Sequence, residues 1–522
     1  MADFVGAQYG ADEVLAGIKK NQITGIPPAN MTIASVAAGD GRCTINYTAP
    51  GATVIDGQTI CTTKGVLIRR KAGSAPTDLT DGDLVANVTV LSGQIVDEGL
   101  TNDTEYFYRF FPYSDHGVYN LNEANIASAT PREYTLYGFK IAKNDSNPAT
   151  RVTYTEGAEG LAPAYMDFAN NRFEYGSWEN AFFMPKPVML KYDGTVDYFL
   201  NPNDLTKKAD GTASDIADTS YGGNAMMQFP TIYFKRWEDS SYEYVNICDI
   251  ALDSDYKAYA HHDSAGNVIP YIYMSIYGNC GLSSSKLRSI SGLAPIASNT
   301  ATQERTYAKN NGAIYDIDVL ADRMMVNDLL VLIGKSTNTQ AVFGRGNDSG
   351  GQNGVLRTGT MNDKGLFWGT NADGTHGVKV FGLENWWGNQ WRRTAGWINA
   401  SGVQKVKLTY GREDGSTTDG YNETGSGYIT ISGATPSGTS GGYINASKMT
   451  EYGKIPYTAS GSDSTYECDG LWFNNSQTNF ALCGGSSNGS LLVGAFCSLL
   501  NYAASISGWY LGAALSCKPL AA

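Results

Sequence analysis

Histidine and clustered positive charge are scarce in this chain. Its 522 residues include four histidines, and Asp, Glu, Lys and Arg together make up 17%. A general base for a Ser/His/Asp arrangement is therefore hard to nominate, and we predict no catalytic residues. The longest basic runs, at 68–71 and 391–393, hold only two or three charges within a formal net charge of −13. Because phosphate binding needs clustered Lys and Arg, nucleic acid is not expected as a partner.

The eight cysteines contain no C-x-x-C pair, which argues against a zinc ribbon or a thioredoxin-like motif. A chain of this length does not need disulfides for stability, so most cysteines are expected to be buried free thiols. One or two pairings among the last four (Cys468, Cys483, Cys497 and Cys517) stay open. The aspartates at 249–255 lack the Gly and the terminal Glu of an EF-hand. We predict neither a metal site nor a cofactor.

Long apolar runs are also missing. No run approaches the length that spans a membrane, and the first twenty residues lack the basic-then-apolar pattern of a secretory signal. We therefore expect neither a signal peptide nor a transmembrane segment.

Glycine and tyrosine, by contrast, are abundant, with 60 and 33 residues. With so little charge, this composition is typical of β-rich domains with many tight turns. The length allows two or three domains. Residues 1–26 hold one short amphipathic helix candidate, Ala11–Lys20, with acidic residues at its start and lysines at its end. We interpret 1–26 as a tether or docking segment.

Residues 27–133 are predicted to form an all-β domain. Its expected strands are Met31–Val36, Cys43–Tyr47, Val66–Arg70, Leu84–Leu91 and Tyr106–Phe111. Within the segment 100–120, Leu100, Thr104 and Tyr106 match the tyrosine-corner line of fibronectin type III domains, which this segment resembles. The resemblance implies a seven-strand sandwich that serves as a spacer.

Residues 134–522 are predicted to form a second, α+β domain. Asp193-Gly194 between two β-type runs is a strong hairpin signal. Apolar spacing predicts a long helix over 315–334 that is deeply buried toward its end, at Gly334. Strands are expected at Val403–Tyr410 and Tyr428–Ser432, with a mobile Gly-rich segment, 411–427, between them.

The segment 381–398, FGLENWWGNQWRRTAGWI, resembles a conserved line of the formylglycine-generating-enzyme superfamily. Glu384, Asn385, Trp386 and Trp391 carry the match, and we assign them to the scaffold. Buried indoles need an acceptor for each N–H, and the neighbouring Glu and Asn are expected to supply it.

The stretch 481–519 alternates two kinds of residue. One kind is small or apolar and includes Phe496 and Trp509, which we assign to the scaffold because glycines and alanines beside large rings indicate close packing. The other kind shares no polarity, size or period, which fits neither a core nor a catalytic site. Its members are Cys483, Ser486, Ser487, Asn488, Gly489, Cys497, Leu499, Asn501, Tyr502, Ile506, Gly508 and Tyr510.

The frame GG, GAF, AAS, W and GAALSCKP within 481–519 resembles the variable region of target proteins of diversity-generating retroelements. That resemblance implies a C-type-lectin fold of the formylglycine-generating-enzyme type. In the family, template adenines become any base, so an AAC codon can give Asn, Leu, Tyr, Ile, Gly, Cys or Ser, but never a stop, Lys or Glu. The twelve miscellaneous residues fit that alphabet, and we expect them to form an exposed, variable ligand-binding face.

The resemblance implies a receptor-binding protein at the tip of a bacteriophage tail fibre. Its partners would be a bacterial surface receptor, protein or glycan, and other virion tail proteins through the N-terminus. We expect a homo-oligomer such as a trimer, made in the bacterial cytoplasm and carried on the virion.

Two alternatives stay open. One is a non-diversified adhesin or structural tail protein with the same fold. The other is an oxidoreductase like the formylglycine-generating enzyme, which uses reactive cysteines and copper. Because Cys483 and Cys497 fall at positions interpreted as variable, we predict that the protein is not an enzyme.

Overall fold

A computed structural model describes residues 25–55, 58–263, 265–408 and 420–520. The chain divides into two compact units, the first through Tyr134 and the second from Thr135, with the short segment 250–254 grouped with the first. The helix candidate Ala11–Lys20 and most of the predicted tether lie outside the described residues, as do positions 409–419 of the predicted strand and Gly-rich segment.

The first unit is built of short antiparallel strands. They are β1 Ile33–Gly39, β2 Arg42–Thr48, β3 Thr53–Ile55, β4 Gln58–Cys61, β5 Thr63–Ala72, β6 Asp83–Val88, β7 Ser92–Glu98, β8 Tyr106–Ser114 and β9 Ile126–Ala129. One sheet has the order β1-β2-β7, a second has the order β6-β5-β8-β9, and β3 pairs with β4. The expected strand Leu84–Leu91 is therefore too long, and β7 was not predicted.

One core joins these two sheets. Ile45 on β2, Val66 on β5 and Phe110 on β8 are all fully buried in it. The Tyr106 hydroxyl accepts a hydrogen bond from the Thr101 N–H at 3.1 Å, which is the local contact that a tyrosine corner makes. Two facing sheets around a shared core form the predicted sandwich, to which the β3–β4 hairpin is an addition.

The described part of the second unit holds three α-helices, α1 Ala301–Lys309, α2 Leu320–Gly334 and α3 Thr339–Phe343. Its strands are β10 Leu136–Ala142, β11 Val152–Glu156, β12 Tyr165–Asp167, β13 Arg172–Glu174, β14 Lys186–Lys191, β15 Val196–Asn201, β16 Asp204–Lys208, β17 Gly223–Pro230, β18 Tyr233–Glu238, β19 Tyr242–Cys248, β20 Tyr271–Ser275, β21 Gly281–Ser283, β22 Lys286–Arg288, β23 Tyr315–Ile317, β24 Lys379–Val380, β25 Leu383–Glu384, β26 Trp391–Ala400, β27 Val403–Val406, β28 Ile429–Thr430, β29 Ser437–Gly438, β30 Gly442–Thr450, β31 Gly453–Ala459, β32 Gly470–Phe473, β33 Thr478–Cys483, β34 Ser498–Leu500, β35 Leu511–Gly512 and β36 Leu515–Cys517.

Two large sheets organise this unit. One has the order β16-β15-β14-β17-β20-β36-β23, so the last strand of the chain lies inside a sheet built from much earlier ones. The other has the order β28-β27-β26-β33-β34-β32-β30-β31-β29, and β35 adds to it beside β26. A four-stranded sheet, β11-β10-β19-β18, and three two-stranded ribbons complete the set. The predicted mainly-β chain with an α+β C-terminal part is confirmed.

Helix α2 is shorter than predicted. Residues 315–317 form β23 instead, because Asp316 pairs with Ser516 of β36 in the sheet. At the other end, Gly334 is the last helical residue and Lys335 takes the left-handed conformation, with φ of 49°. The helix is buried from Leu320 through Ile333. Within the described part of the chain, no helix is long and apolar enough to cross a membrane.

The buried length of α2 includes charged side chains that hold the end of the chain in place. Asp322 accepts a hydrogen bond from the Ser516 hydroxyl at 2.6 Å. The same carboxylate lies 2.8 Å from Nζ of Lys518, and both side chains are fully buried. Two residues of the SCKP motif are therefore tied to one helical aspartate.

We expect Lys518→Met to lower the free energy of unfolding by about 3–5 kcal/mol, because it leaves the Asp322 charge buried without its cation. Urea unfolding measures this. Lys207→Met, at an exposed lysine, is the matched control and should change stability by at most about 0.5 kcal/mol. Combining Lys518→Met with Asp322→Leu should recover part of the loss, since no charge is then left unpaired. A neutral single change would contradict this role.

His261 gives the second unit a pH-dependent stability. The side chain is fully buried, and burial, with the nearby Lys518 charge, lowers the pKa of His261 from 6.5 to about 3. Between these values the unfolded chain binds a proton that the folded chain does not. The stability is thus fully present above pH 6.5 and is lost as the pH falls. We expect about 2 kcal/mol of loss between pH 7 and pH 5 from this group.

The measurement is urea unfolding at both pH values. His261→Leu should lack this part of the pH dependence, whereas His376→Leu, at an exposed position, should keep it. Equal slopes for the wild type and His261→Leu would show that His261 is not the group responsible.

Candidate functional site

The stretch 481–519 begins and ends inside the two large sheets. It leaves β33, returns as β34 beside β33 and β32, passes through an irregular loop, 501–510, and re-enters as β35 and β36. Tyr273 of β20 and Tyr315 of β23 both pair with Cys517. The loop 501–510 therefore connects strands that are held in the two large sheets.

The GG and GAF motifs are packed against buried polar groups. Gly485 has φ of +80°, and a Cβ there would lie 2.6 Å from the Val493 side chain. A Cβ at Gly494 would lie 1.9 Å from a carboxylate oxygen of Asp469. That carboxylate accepts the Phe496 N–H at 2.7 Å, and burial raises the pKa of Asp469 well above its usual range. These glycines are required by space and by backbone conformation.

Side chains of helix α2 also bind the backbone of the GAF motif. The Ala495 carbonyl accepts hydrogen bonds from Arg323 at 3.1 Å and from Asn327 Nδ2 at 2.9 Å. Phe496 is buried, at 7% exposure, in the main core. The burial of Phe496 agrees with its assignment to the scaffold.

The segment 381–398 supplies the neighbouring wall. Glu384, Asn385, Trp386 and Trp391 are all buried, as expected of scaffold residues. The indole acceptors, however, differ from the prediction. Trp386 Nε1 donates to Asn327 Oδ1 of α2 at 3.0 Å. Glu384 instead accepts from the Thr360 hydroxyl at 2.9 Å and from its N–H at 3.1 Å. The prediction that a neighbouring Glu or Asn accepts the indole N–H is wrong for Trp386, because its acceptor, Asn327, lies on helix α2.

The backbone of loop 501–510 is held almost entirely from outside the loop. Seven of its carbonyls accept hydrogen bonds from donors elsewhere in the second unit. Four donors are backbone N–H groups: Phe480 donates to the Tyr502 carbonyl at 2.9 Å, Ala301 to that of Ala504 at 2.9 Å, Ser298 to that of Gly508 at 3.0 Å and Trp391 to that of Tyr510 at 2.8 Å. Three donors are side chains: Gln477 donates to the Asn501 carbonyl at 3.2 Å, Gln390 to that of Trp509 at 2.6 Å and Arg393 to that of Ile506. None of these contacts uses a loop side chain.

A buried ion pair lies beneath this loop. Arg393 Nε is 2.7 Å from Glu304 of α1, and both side chains are fully buried. Burial raises the pKa of Glu304 to about 8, an effect that the Arg393 guanidinium opposes. Arg393 also donates to the Asn299 carbonyl at 3.0 Å and to that of Ile506. One charged side chain thus joins α1 to the middle of the loop.

The loop side chains, in contrast, reach the surface. Tyr502 and Tyr510 are half-buried, Ile506 is 36% exposed, and Asn501 and Gly508 are intermediate. The two tyrosine rings lie 6.2 Å apart at 45°. Burial and the neighbouring Tyr502 hydroxyl raise the pKa of Tyr510. These five predicted positions are therefore grouped on one accessible loop.

Two tryptophans extend this surface. Trp509, assigned to the scaffold, lies edge-on to Tyr510 at 5.7 Å and is half-buried, so its ring also reaches the surface. Trp472 packs partly buried against the same small apolar cluster as Tyr502 and Tyr510. Trp472 was not among the predicted site residues, although a tryptophan before the polar run FNNS was the available signal. We call Trp472, Tyr502, Trp509 and Tyr510 the aromatic face.

Five of the twelve predicted variable positions are not exposed. Cys483, Ser486, Ser487, Cys497 and Leu499 are at most 4% exposed. Cys497 and Leu499 form part of the apolar cluster beneath the aromatic face. The Ser487 hydroxyl donates to the Gly351 carbonyl at 2.8 Å. The expectation that these five side chains are exposed to a ligand is therefore corrected: all five are buried, and we call them the floor.

The first half of the stretch contributes a smaller exposed part. Asn488 is exposed and Gly489 is intermediate. The Ser486 hydroxyl donates to Asn488 Oδ1 at 2.8 Å, so a buried side chain orients this exposed amide. Together with the five loop positions, seven of the twelve predicted residues remain accessible.

Thiol chemistry finds little support at this site. All eight cysteines are buried and free of disulfides. Burial raises the pKa of Cys497 well above its ordinary value, which keeps the thiol protonated and poorly nucleophilic. Among the described residues, no group of three or more His, Cys, Asp and Glu side chains is placed to hold a metal ion.

Positions 508 and 510 are sterically coupled. A Cβ at Gly508 would lie 2.7 Å from Cε1 of Tyr510, so any larger residue pushes the ring aside. We expect a coupling free energy of at least about 0.5 kcal/mol between Gly508→Ala and Tyr510→Ala. A double-mutant cycle by thermal unfolding measures it. Additive single effects would contradict the contact, and Tyr502→Ala in place of Tyr510→Ala is the control.

No protein family matches this chain, and no curated protein does. Among solved structures, the chain is similar in part to the twitchin kinase region from C. elegans, with 11% identity and a TM-score of 0.16. The match covers 42% of this chain and 39% of that one, so the chain spans about two fifths of that structure's length. A likeness this weak carries no argument about fold or function.

Proposed function

We propose that this protein binds a receptor through a surface diversified by a retroelement, on a C-type-lectin scaffold, as part of a phage tail fibre. The observation that carries the proposal is the loop 501–510. Its backbone is fixed by seven external hydrogen bonds, while its side chains lie on the surface. Folding thus depends on the loop's peptide groups and binding on its side chains, which is the division that a diversified face needs.

The aromatic face supplies suitable binding chemistry. Tyrosine and tryptophan offer large rigid surfaces with a polar edge and lose little conformational entropy when they are ordered. Tyr502 and Tyr510 rest on a buried apolar cluster, so their ring positions are partly set before a ligand arrives. Ile506, at 36% exposure, adds apolar area on the same loop. Tyr502 and Tyr510 are the proposed affinity anchors.

The buried positions narrow the proposed paratope. Cys483, Cys497 and Leu499 are enclosed, so a ligand would meet Asn488, Gly489, Asn501, Tyr502, Ile506, Gly508 and Tyr510. The buried, protonated Cys497 thiol favours binding over cysteine-based catalysis. A receptor on a bacterial surface, protein or glycan, is the proposed partner, and several copies on one particle would raise weak affinity through avidity.

Two matched display libraries test the separation of folding from binding. The surface library randomises Asn501, Tyr502, Ile506, Gly508 and Tyr510; the floor library randomises Cys483, Ser487, Cys497 and Leu499. We expect most surface variants to stay folded, with stability changes commonly within about 0.5 kcal/mol. Most floor variants should unfold, because larger side chains at the enclosed Cys483, Ser487 and Cys497 overpack the core at about 1–3 kcal/mol each. Truncation of Leu499 costs about 2–5 kcal/mol. Protease resistance of the displayed protein is the readout.

The same libraries test binding. Selection of the surface library against immobilised cell-surface proteins and glycans should yield binders that lose capture when the residue selected at position 502 or 510 is replaced by alanine. Equal survival of the two libraries, or binders that tolerate both changes, would overturn the proposal. The coding DNA gives a further check: a nearby near-repeat of the segment for 481–519, differing almost only at adenines and lying beside a reverse transcriptase gene. Its absence would leave a non-diversified adhesin.

A further inference from the structure

A second candidate site lies outside the stretch 481–519, where three turns of the second unit meet. The turn between β12 and β13 contributes Asn171, the turn between β15 and β16 contributes Asn203, and the loop 361–368 contributes Lys364 and Trp368. Together they line a cleft of about 370 Å³, within the range of small-molecule sites. We call it the three-turn cleft.

Hydrogen bonds between the turns fix the walls of this cleft. Trp368 Nε1 donates to Asn171 Oδ1 at 3.0 Å. The Trp368 and Lys379 backbones exchange hydrogen bonds at 2.9 and 2.7 Å. The Leu205 N–H, on β16, donates to the Asn362 carbonyl at 2.9 Å. The indole is thus held from both its ring and its backbone, so little ordering remains for a ligand to impose.

Aromatic rings make the cleft's apolar side. Phe173 stacks on Phe367 with ring centroids 4.3 Å apart and an interplanar angle of 9°. Tyr175 meets Phe367 edge-on at 5.7 Å, and Phe367 in turn packs on the buried Phe381 at 4.8 Å. Phe173, Tyr175 and Trp368 remain only partly buried. The exposed surfaces of Phe173 and Tyr175 are therefore supported by core residues behind them.

The charges at this cleft already have partners. Arg172 Nε lies 2.8 Å from Glu174 Oε1, and Lys364 Nζ lies 3.5 Å from Asp363. A phosphate or carboxylate ligand would compete with Glu174 or Asp363 for these cations. The remaining polar lining includes the Tyr175 hydroxyl and the amide groups of Asn171 and Asn203, which favour an uncharged ligand rich in hydroxyls.

We propose that the three-turn cleft binds a neutral saccharide. A pyranose ring presents C–H bonds on its face and hydroxyls around its edge. A partly exposed aromatic ring such as that of Trp368 can pack against the C–H face of the sugar. A side-chain amide such as that of Asn203 can form hydrogen bonds with the hydroxyls at the edge of the sugar. A wholly apolar ligand would offer the Asn203 amide no hydrogen bond in place of the water that it displaces. None of the lining residues belongs to 481–519, so this site is independent of the diversified surface.

Saturation-transfer NMR of the full chain tests this assignment, with glucose, galactose, mannose, N-acetylglucosamine, maltose and lactose as probes. Trp368→Ala removes the ring, and Asn203→Ala removes one amide at an exposed position where folding is not at risk. Trp237→Ala, at a tryptophan that is 38% exposed elsewhere, is the matched control. The double variant Tyr502→Ala with Tyr510→Ala tests whether any signal comes from the aromatic face instead.

We expect at least one probe to show transfer to its ring protons, with affinity falling at least about tenfold in Trp368→Ala and about two- to tenfold in Asn203→Ala. Trp237→Ala and the double tyrosine variant should bind as the wild type does. Absence of transfer for every probe, or transfer that persists in Trp368→Ala and Asn203→Ala, would overturn the proposal. Transfer lost only in the double tyrosine variant would overturn it too, while supporting binding at the aromatic face.

Discussion

Polar side chains buried along helix α2 hold the segments on both sides of the loop 501–510 in place. Asp322 binds Ser516 and Lys518, while Arg323 and Asn327 both donate to the Ala495 carbonyl. Apolar side chains would bury as much surface without fixing where the chain's last strand docks. A charged or amide group that misses its partner in the interior loses more free energy than it gains from burial. The frame on both sides of the loop 501–510 is therefore positioned by one helix.

The loop itself follows a different rule. Its contacts with the scaffold run through its own carbonyls, and a carbonyl is present whatever the side chain. Four of the seven donors are backbone N–H groups of 298, 301, 391 and 480, which substitution of side chains cannot remove. The other three, Gln390, Arg393 and Gln477, lie outside the positions predicted to vary. Because every acceptor is a loop carbonyl and no donor lies at a predicted variable position, these seven hydrogen bonds do not depend on the loop's side chains.

Local signals in the sequence predicted local structure well. The Asp193-Gly194 hairpin and the body of α2 follow from turn chemistry and from apolar spacing, which act over a few residues. The strand at 315–317 and the acceptor for Trp386 depend on partners about 200 and 59 residues away, and no local pattern encodes them. In the first unit, the alternation of β2, β5 and β8 was recognised, whereas β7 and β9, the edge strands that pair with β2 and β8, were not predicted.

Burial within 481–519 was the least predictable property. The set of residues that an AAC codon can give by mutation describes what a position can become. It says nothing about whether the side chain at that position is buried or exposed. Cys483 and Leu499 belong to that set, yet both lie on strands inside a ten-stranded sheet, where each face is covered. Small or apolar members of the set suit such positions, whereas polar ones lose a hydrogen-bonding partner there. Selection for folding must therefore restrict the floor more than the surface.

This asymmetry defines how such a surface could change its shape. With the backbone fixed, new shapes must come from side-chain size and from steric coupling between neighbours. Gly508 illustrates the second route, because a Cβ there would lie 2.7 Å from the Tyr510 ring. A substitution at 508 would thus alter the ligand surface twice, by its own side chain and by redirecting an aromatic ring that it contacts. Coupled positions on a rigid loop give more distinct surfaces than independent ones, without any movement of the scaffold.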